Sequence, residues 1–151
     1  MNNIDKAKIL EKLIFHHEQL VVELNKTIQD LSLEANLPGD ETVDLEDASH
    51  QNLSSDMKQH YEALVANSQR DLDKLRSYID ISAESIGPGA LVVTDHVLFF
   101  VGVATPKLHL KDYPVLVGVS TESDIFKVLQ NKKTGDLFHF DAQMLRIKNI
   151  L

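Results

Sequence analysis

From Ile4 to about Ala35 the apolar residues recur with a helical period. Leu10, Leu13, His17, Leu20, Leu24, Thr27 and Leu31 mark a heptad seam, and Ile14, Val21, Ile28 and Ala35 repeat every seven residues beside it. This pattern predicts one helix with a wide apolar face, roughly 45 Å long at 1.5 Å per residue. Leu37-Pro38-Gly39 stops it, because proline lacks a backbone donor and glycine admits turn conformations closed to other residues. A second periodic run extends from about Met57 to Ile79, through Tyr61, Leu64, Val65, Ser68, Leu72 and Leu75. Two matching faces joined by a turn predict an antiparallel coiled-coil hairpin over residues 1–80, with its tip at about 36–54. Asp44 caps the second helix if it begins early; Ser54 caps it if it begins late.

The pattern changes after residues 81–89, where Gly87-Pro88-Gly89 cannot continue a helix and reads as a linker. Short β-rich runs follow at Leu91 to Thr94, Val97 to Val103, Val115 to Val119, Leu137 to Phe140 and Met144 to Leu151. The Val, Leu and Phe stripe at 97–103 reads as sheet core. Thr121-Glu122-Ser123-Asp124 has the form of a capping box opening a short helix over about 122–130, with Ile125, Phe126 and Leu129 facing inward. Strands with one inserted helix predict a compact unit over residues 90–151, and the whole chain is expected to be α+β.

Composition narrows the functional classes. With 43% hydrophobic and 25% charged residues the chain reads as globular. No stretch approaches the roughly 20 apolar residues of a membrane span, and MNNIDKAK lacks the apolar core of a signal peptide, so a cytoplasmic, membrane-free protein is expected. The absence of cysteine excludes disulfides, thiol catalysis and cysteine-based zinc sites. The net charge of −8 is uneven: residues 1–85 hold 8 Lys/Arg against 17 Asp/Glu, while residues 86–151 hold 7 against 6. An acidic first half does not suit direct gripping of nucleic acid; a basic protein groove or a cation suits it better. The histidines, at 16, 17, 50, 60, 96, 109 and 139, show no zinc-like spacing. His17 falls on the seam and is expected to be a packed polar residue. No nucleophile elbow or phosphate-cradling loop is present.

The densest unpaired charge is in the turn between the two helical runs. Asp40, Glu41, Asp44, Glu46 and Asp47 stand there, with no Lys or Arg from Asn36 to Met57. Such a run reads either as an ordinary turn whose acids favour a helix N-terminus or as a set of oxygen ligands presented to a partner. Asp44 with Asp47, and Glu41 with Asp44, share an i, i+3 spacing.

With these features in place the chain resembles the Gre family of bacterial transcription elongation factors. That family joins an N-terminal antiparallel coiled coil to a C-terminal domain of FKBP-like fold, and carries two acids spaced Asp-x-x-Glu at the coiled-coil tip. Asp44-Leu45-Glu46-Asp47 matches that position, with Asp47 in place of the usual glutamate. Gly89-Ala90-Leu91-Val92-Val93 resembles the family's opening strand of the second domain. Val119-Ser120 and Lys132-Lys133-Thr134-Gly135-Asp136 resemble its closing segment, although Thr121 stands where the family has proline. The resemblance implies a small antiparallel sheet domain over 90–151. It also implies a monomer that enters the secondary channel of RNA polymerase and meets the RNA 3′ end and DNA only through that complex. It further implies no active site or cofactor of its own. Asp44 would then ligate the polymerase's catalytic Mg²⁺ and Asp47 position the attacking water, stimulating cleavage of backtracked transcripts. Some relatives of the family instead occupy the channel and inhibit. An interaction module with no polymerase partner is the remaining expectation.

Overall fold

The computed structural model describes residues 3–35 and 45–151, and their side chains except those of 34–35, 45–52 and 54. The elements in order are α1 (Lys6–Ala35), α2 (Leu45–Ser77), β1 (Leu91–Thr94), β2 (Val97–Val101), β3 (Val115–Val119), α3 (Asp124–Leu129), β4 (Leu137–Phe140) and β5 (Gln143–Ile150). The α+β class and all five strands lie where the apolar pattern puts them. Asp5 opens α1: its carboxylate accepts from the Ala7 N–H at 3.0 Å, satisfying one donor of the first turn. The second helix begins at Leu45, twelve residues before Met57, so Ser54 lies within a helix rather than at its start. Asp44, the other candidate cap, falls outside the described residues.

The chain divides into two compact units, Leu13–Asp73 and Met1–Lys12 with Lys74–Leu151. In the first, Leu13, His17, Leu31, Ser68 and Leu72 are buried, all of them on the predicted seams. Position 17 feels the charge of Asp71, so the two helices pass each other in this register. The burial is narrower than the sequence pattern suggests. Met57 and Leu64, expected on the inner face of α2, are 42% and 36% exposed, and Phe15, Val22 and Leu33 of α1 face outward. Two helices cover only the strip of each that faces the other, so a wide apolar face keeps exposed flanks.

In the second unit the sheet order is β3-β2-β1-β5-β4. The expectation of an antiparallel sheet is corrected: β1 pairs antiparallel with β2 and β5, and β4 with β5, but β2 and β3 run parallel, Val97 beside Val115 and Val101 beside Val119. The 13 residues from 102 to 114 are enough chain to return β3 in the same direction, as a parallel pair requires. Every residue of β1 and β2 is buried, the mark of a sheet covered on both faces. One face carries Val92, Phe99, Val101, Leu145 and Ile147, packed with Leu129 of α3 and Phe138 of β4. On the other, the Phe100 ring lies 5.9 Å from that of Tyr78. Tyr78 needs the glycine at 102: a Cβ there would stand 2.7 Å from its ring, and the backbone has φ +134.

The short helix α3 is capped by Ser123, not Thr121. The Ser123 hydroxyl accepts from the Phe126 N–H at 3.2 Å, with Ser123 extended at φ −75 and ψ 155. Serine is the residue whose extended backbone and side-chain oxygen meet the third helical N–H, which is the capping requirement.

Candidate functional site

Of the acids singled out in the sequence, Asp40, Glu41 and Asp44 lie outside the described residues. Glu46 and Asp47 occupy the second and third positions of α2; their backbone is helical and their side chains lie outside the described set. The first turn of a helix carries unpaired N–H groups and a partial positive charge, which favours carboxylates at these positions. Among the described residues no group of three or more His, Asp or Glu is arranged to hold a metal ion, and no helix is long and apolar enough to cross a membrane.

His17 is the packed polar residue expected from its seam position. It is 4% exposed, its Nδ1 lies 3.3 Å from the Leu13 carbonyl, and its ring meets that of His16 edge-on at 5.7 Å. Burial pushes its pKa down; the Leu13 carbonyl pushes it up, the neighbouring His16 down and Asp71 up, leaving it below the ordinary 6.5. Lys6 serves as a tie. Its ammonium donates to the Ile81 carbonyl at 2.7 Å and to the Leu151 carbonyl at 3.0 Å, and burial lowers its pKa.

The sheet unit also holds two open clefts that periodicity does not reveal. One, of about 530 Å³, has Ile4, Val93, Pro114 and Leu151 as its apolar lining and Asp95, Asp112, Tyr113 and Lys148 as polar groups. Burial alone would raise the Asp95 pKa. The Arg146 N–H at 3.2 Å, its own N–H, His96 and Lys148 outweigh that and hold it below the usual carboxylate value. Asp112 adopts φ +66, an uncommon conformation for a residue with a side chain. The other cleft, of about 610 Å³, is walled by Val97, Val115 and Phe140 with His96, Lys107, His109 and Asp141 around it; Lys107 is paired with Asp141 and stands over the Phe140 ring. The signals that could have marked these groups, a non-glycine left-handed residue and side chains far apart in sequence, exist only once the strands are paired.

Comparison with protein-family models, curated proteins and solved structures finds no match to this chain.

Proposed function

We propose that this chain is a Gre-like factor that binds RNA polymerase through the secondary channel, has no active site of its own, and stimulates cleavage of backtracked transcripts. In this reading the β-sheet unit is FKBP-like. The observation that carries the proposal is the position of the acidic run. In sequence it lies between helices of 30 and 33 residues, with Asp47 the third residue of α2 (Leu45–Ser77) and Asp44 three positions before it. The matched acids thus lie where the sequence passes from the first helix to the second, with an order and spacing that resemble the family's tip.

The chemistry follows from residue type. Mg²⁺ prefers hard oxygen ligands and keeps several waters, so a carboxylate brought by a partner completes a weakly held site and orients a water toward a phosphodiester. Asp44 is assigned the metal contact and Asp47 the water, with Asp40, Glu41 and Glu46 adding negative potential around them.

The test uses backtracked elongation complexes of the cognate polymerase, incubated with the protein and Mg²⁺. Shortened RNAs that appear with the native chain and vanish with Asp44→Asn support cleavage. Slower synthesis with no shortened RNA supports the second reading, channel occupancy without cleavage, which the shorter Asp47 side chain favours. Failure to retain the polymerase in a pull-down removes both and leaves a coiled-coil interaction module.

A further inference from the structure

The two edges of the sheet are treated differently. Outside β3, the chain returns to cover the edge: the Leu108 and Leu116 N–H groups each donate to the other's carbonyl, at 2.8 and 2.9 Å, and the Thr105 N–H donates to the Gly118 carbonyl. Beyond β4 no such cover is formed among the described residues, where β4 pairs with β5. The register says which groups are left over. The Ile147 N–H donates to the Asp136 carbonyl at 2.9 Å, which makes 136 with 147, 138 with 145 and 140 with 143 the hydrogen-bonded pairs of the ladder. The intervening pairs, Leu137 with Arg146 and His139 with Met144, exchange no ladder bonds. Consistent with this, the Arg146 N–H turns away from β4 and donates to Asp95. The N–H and C=O of Leu137 and His139 therefore point outward from the edge, and an exposed edge of this kind is a template for another strand.

The side chains beside this edge mark it further. Leu137 is 46% and Met144 51% exposed, on the face opposite buried Phe138 and Leu145, with His139 and Arg146 interleaved. Lys132 and Lys133 lead into β4. Three nearby acids are already engaged: Asp136 accepts from the Lys133 N–H at 2.8 Å, Asp95 accepts from the Arg146 N–H at 3.2 Å, and Asp141 pairs with Lys107. Among the described residues, the side chains of Lys132, Lys133 and Arg146 form no ion pair.

We infer that the outer edge of β4 binds an extended peptide segment of a partner protein in which acidic and β-branched residues alternate, adding it as a sixth strand. Backbone groups of Leu137 and His139 supply the hydrogen bonds, the acidic residues face Arg146 and the two lysines, which supply the charge preference, and the β-branched residues favour the extended conformation the edge selects. A second copy of the chain would bring the same cations to the edge, whereas an acidic peptide brings the opposite charge. This surface is independent of the acidic turn and of the polymerase reading.

The probe is a fluorescein-labelled octapeptide of alternating valine and glutamate, titrated against the full chain by anisotropy, with a valine–lysine peptide as its control. The glutamate peptide is expected to bind at least about tenfold tighter, and to slow amide exchange at Leu137 and His139. His139→Pro removes an outward N–H without touching the β4–β5 ladder, a position at which proline is tolerated, so it should abolish binding while the far-ultraviolet spectrum is kept. Arg146→Glu, a surface change, should weaken binding of the glutamate peptide and improve that of the lysine peptide. Equal affinity for the two peptides, binding undiminished in both variants, or a light-scattering mass that doubles through this edge in place of peptide binding would each overturn the inference.

Discussion

Single residues carry identifiable strain and relief in this fold. The turn joining β4 and β5 has two residues, Asp141 at φ +48 and Ala142 at φ +60, between the paired Phe140 and Gln143. Two-residue hairpins of this hand need positive φ at both positions, because that twist matches the strands, and they favour Asn-Gly or Asp-Gly. Aspartate tolerates the left-handed region and is held here by Lys107; alanine gains nothing to offset its Cβ clash. Ala142→Gly is therefore expected to stabilise the protein by roughly 0.5–1 kcal/mol, read as a higher midpoint in thermal or urea denaturation. The apolar runs leave residues 141–143 between two strands, but without the usual glycine nothing in them marks this turn.

At the scale of elements, the helices were legible because a long period repeats many times, while the start of α2 stays open in the sequence between Asp44 and Ser54. The apolar period alone runs from about Met57, whereas the stretch from Leu45 onward is polar and still helical. His17 shows how a seam position becomes a chemical property. Its pKa is lowered in the folded chain, so between that value and 6.5 the unfolded chain binds more protons, and stability rises with pH across this window. The contribution is complete above 6.5, declines as pH falls below it, and stops changing once pH is under the folded value. Urea denaturation at a series of pH values should show this decline in the native chain, and His17→Leu should lack it. An unchanged slope in the variant would mean that His17 does not carry the acid sensitivity.

For the molecule as a whole, the sheet unit is assembled from both ends of the chain. Leu91 and Leu151 exchange backbone hydrogen bonds at 2.9 Å in both directions, and Lys6 ties the Leu151 and Ile81 carbonyls from the first turn of α1. Lys6→Met keeps most of the aliphatic stem and removes both bonds, so it is expected to cost roughly 1–2 kcal/mol after allowance for water at the more exposed carbonyl. It should also accelerate amide exchange at Leu91 and Leu151 ahead of the interior of β2. Protection unchanged at both amides would show that the strand pairing holds the end of β5 without the lysine.

The amino-acid order by itself determined the two long helices, the five strands, the α+β class and the buried place of His17, because each rests on residues close along the chain whose apolar period or turn chemistry is local. Tertiary structure decided the parallel pairing of β2 with β3 and the covered edge of β3. It also decided the bare edge of β4, the Lys6 tie and the grouping of Asp95, Asp112 and Lys148 at one cleft. These depend on which distant segments pair and in what register, and the pairing is set by competition among whole surfaces for burial and for backbone hydrogen bonds. A window of neighbouring residues carries no record of that competition.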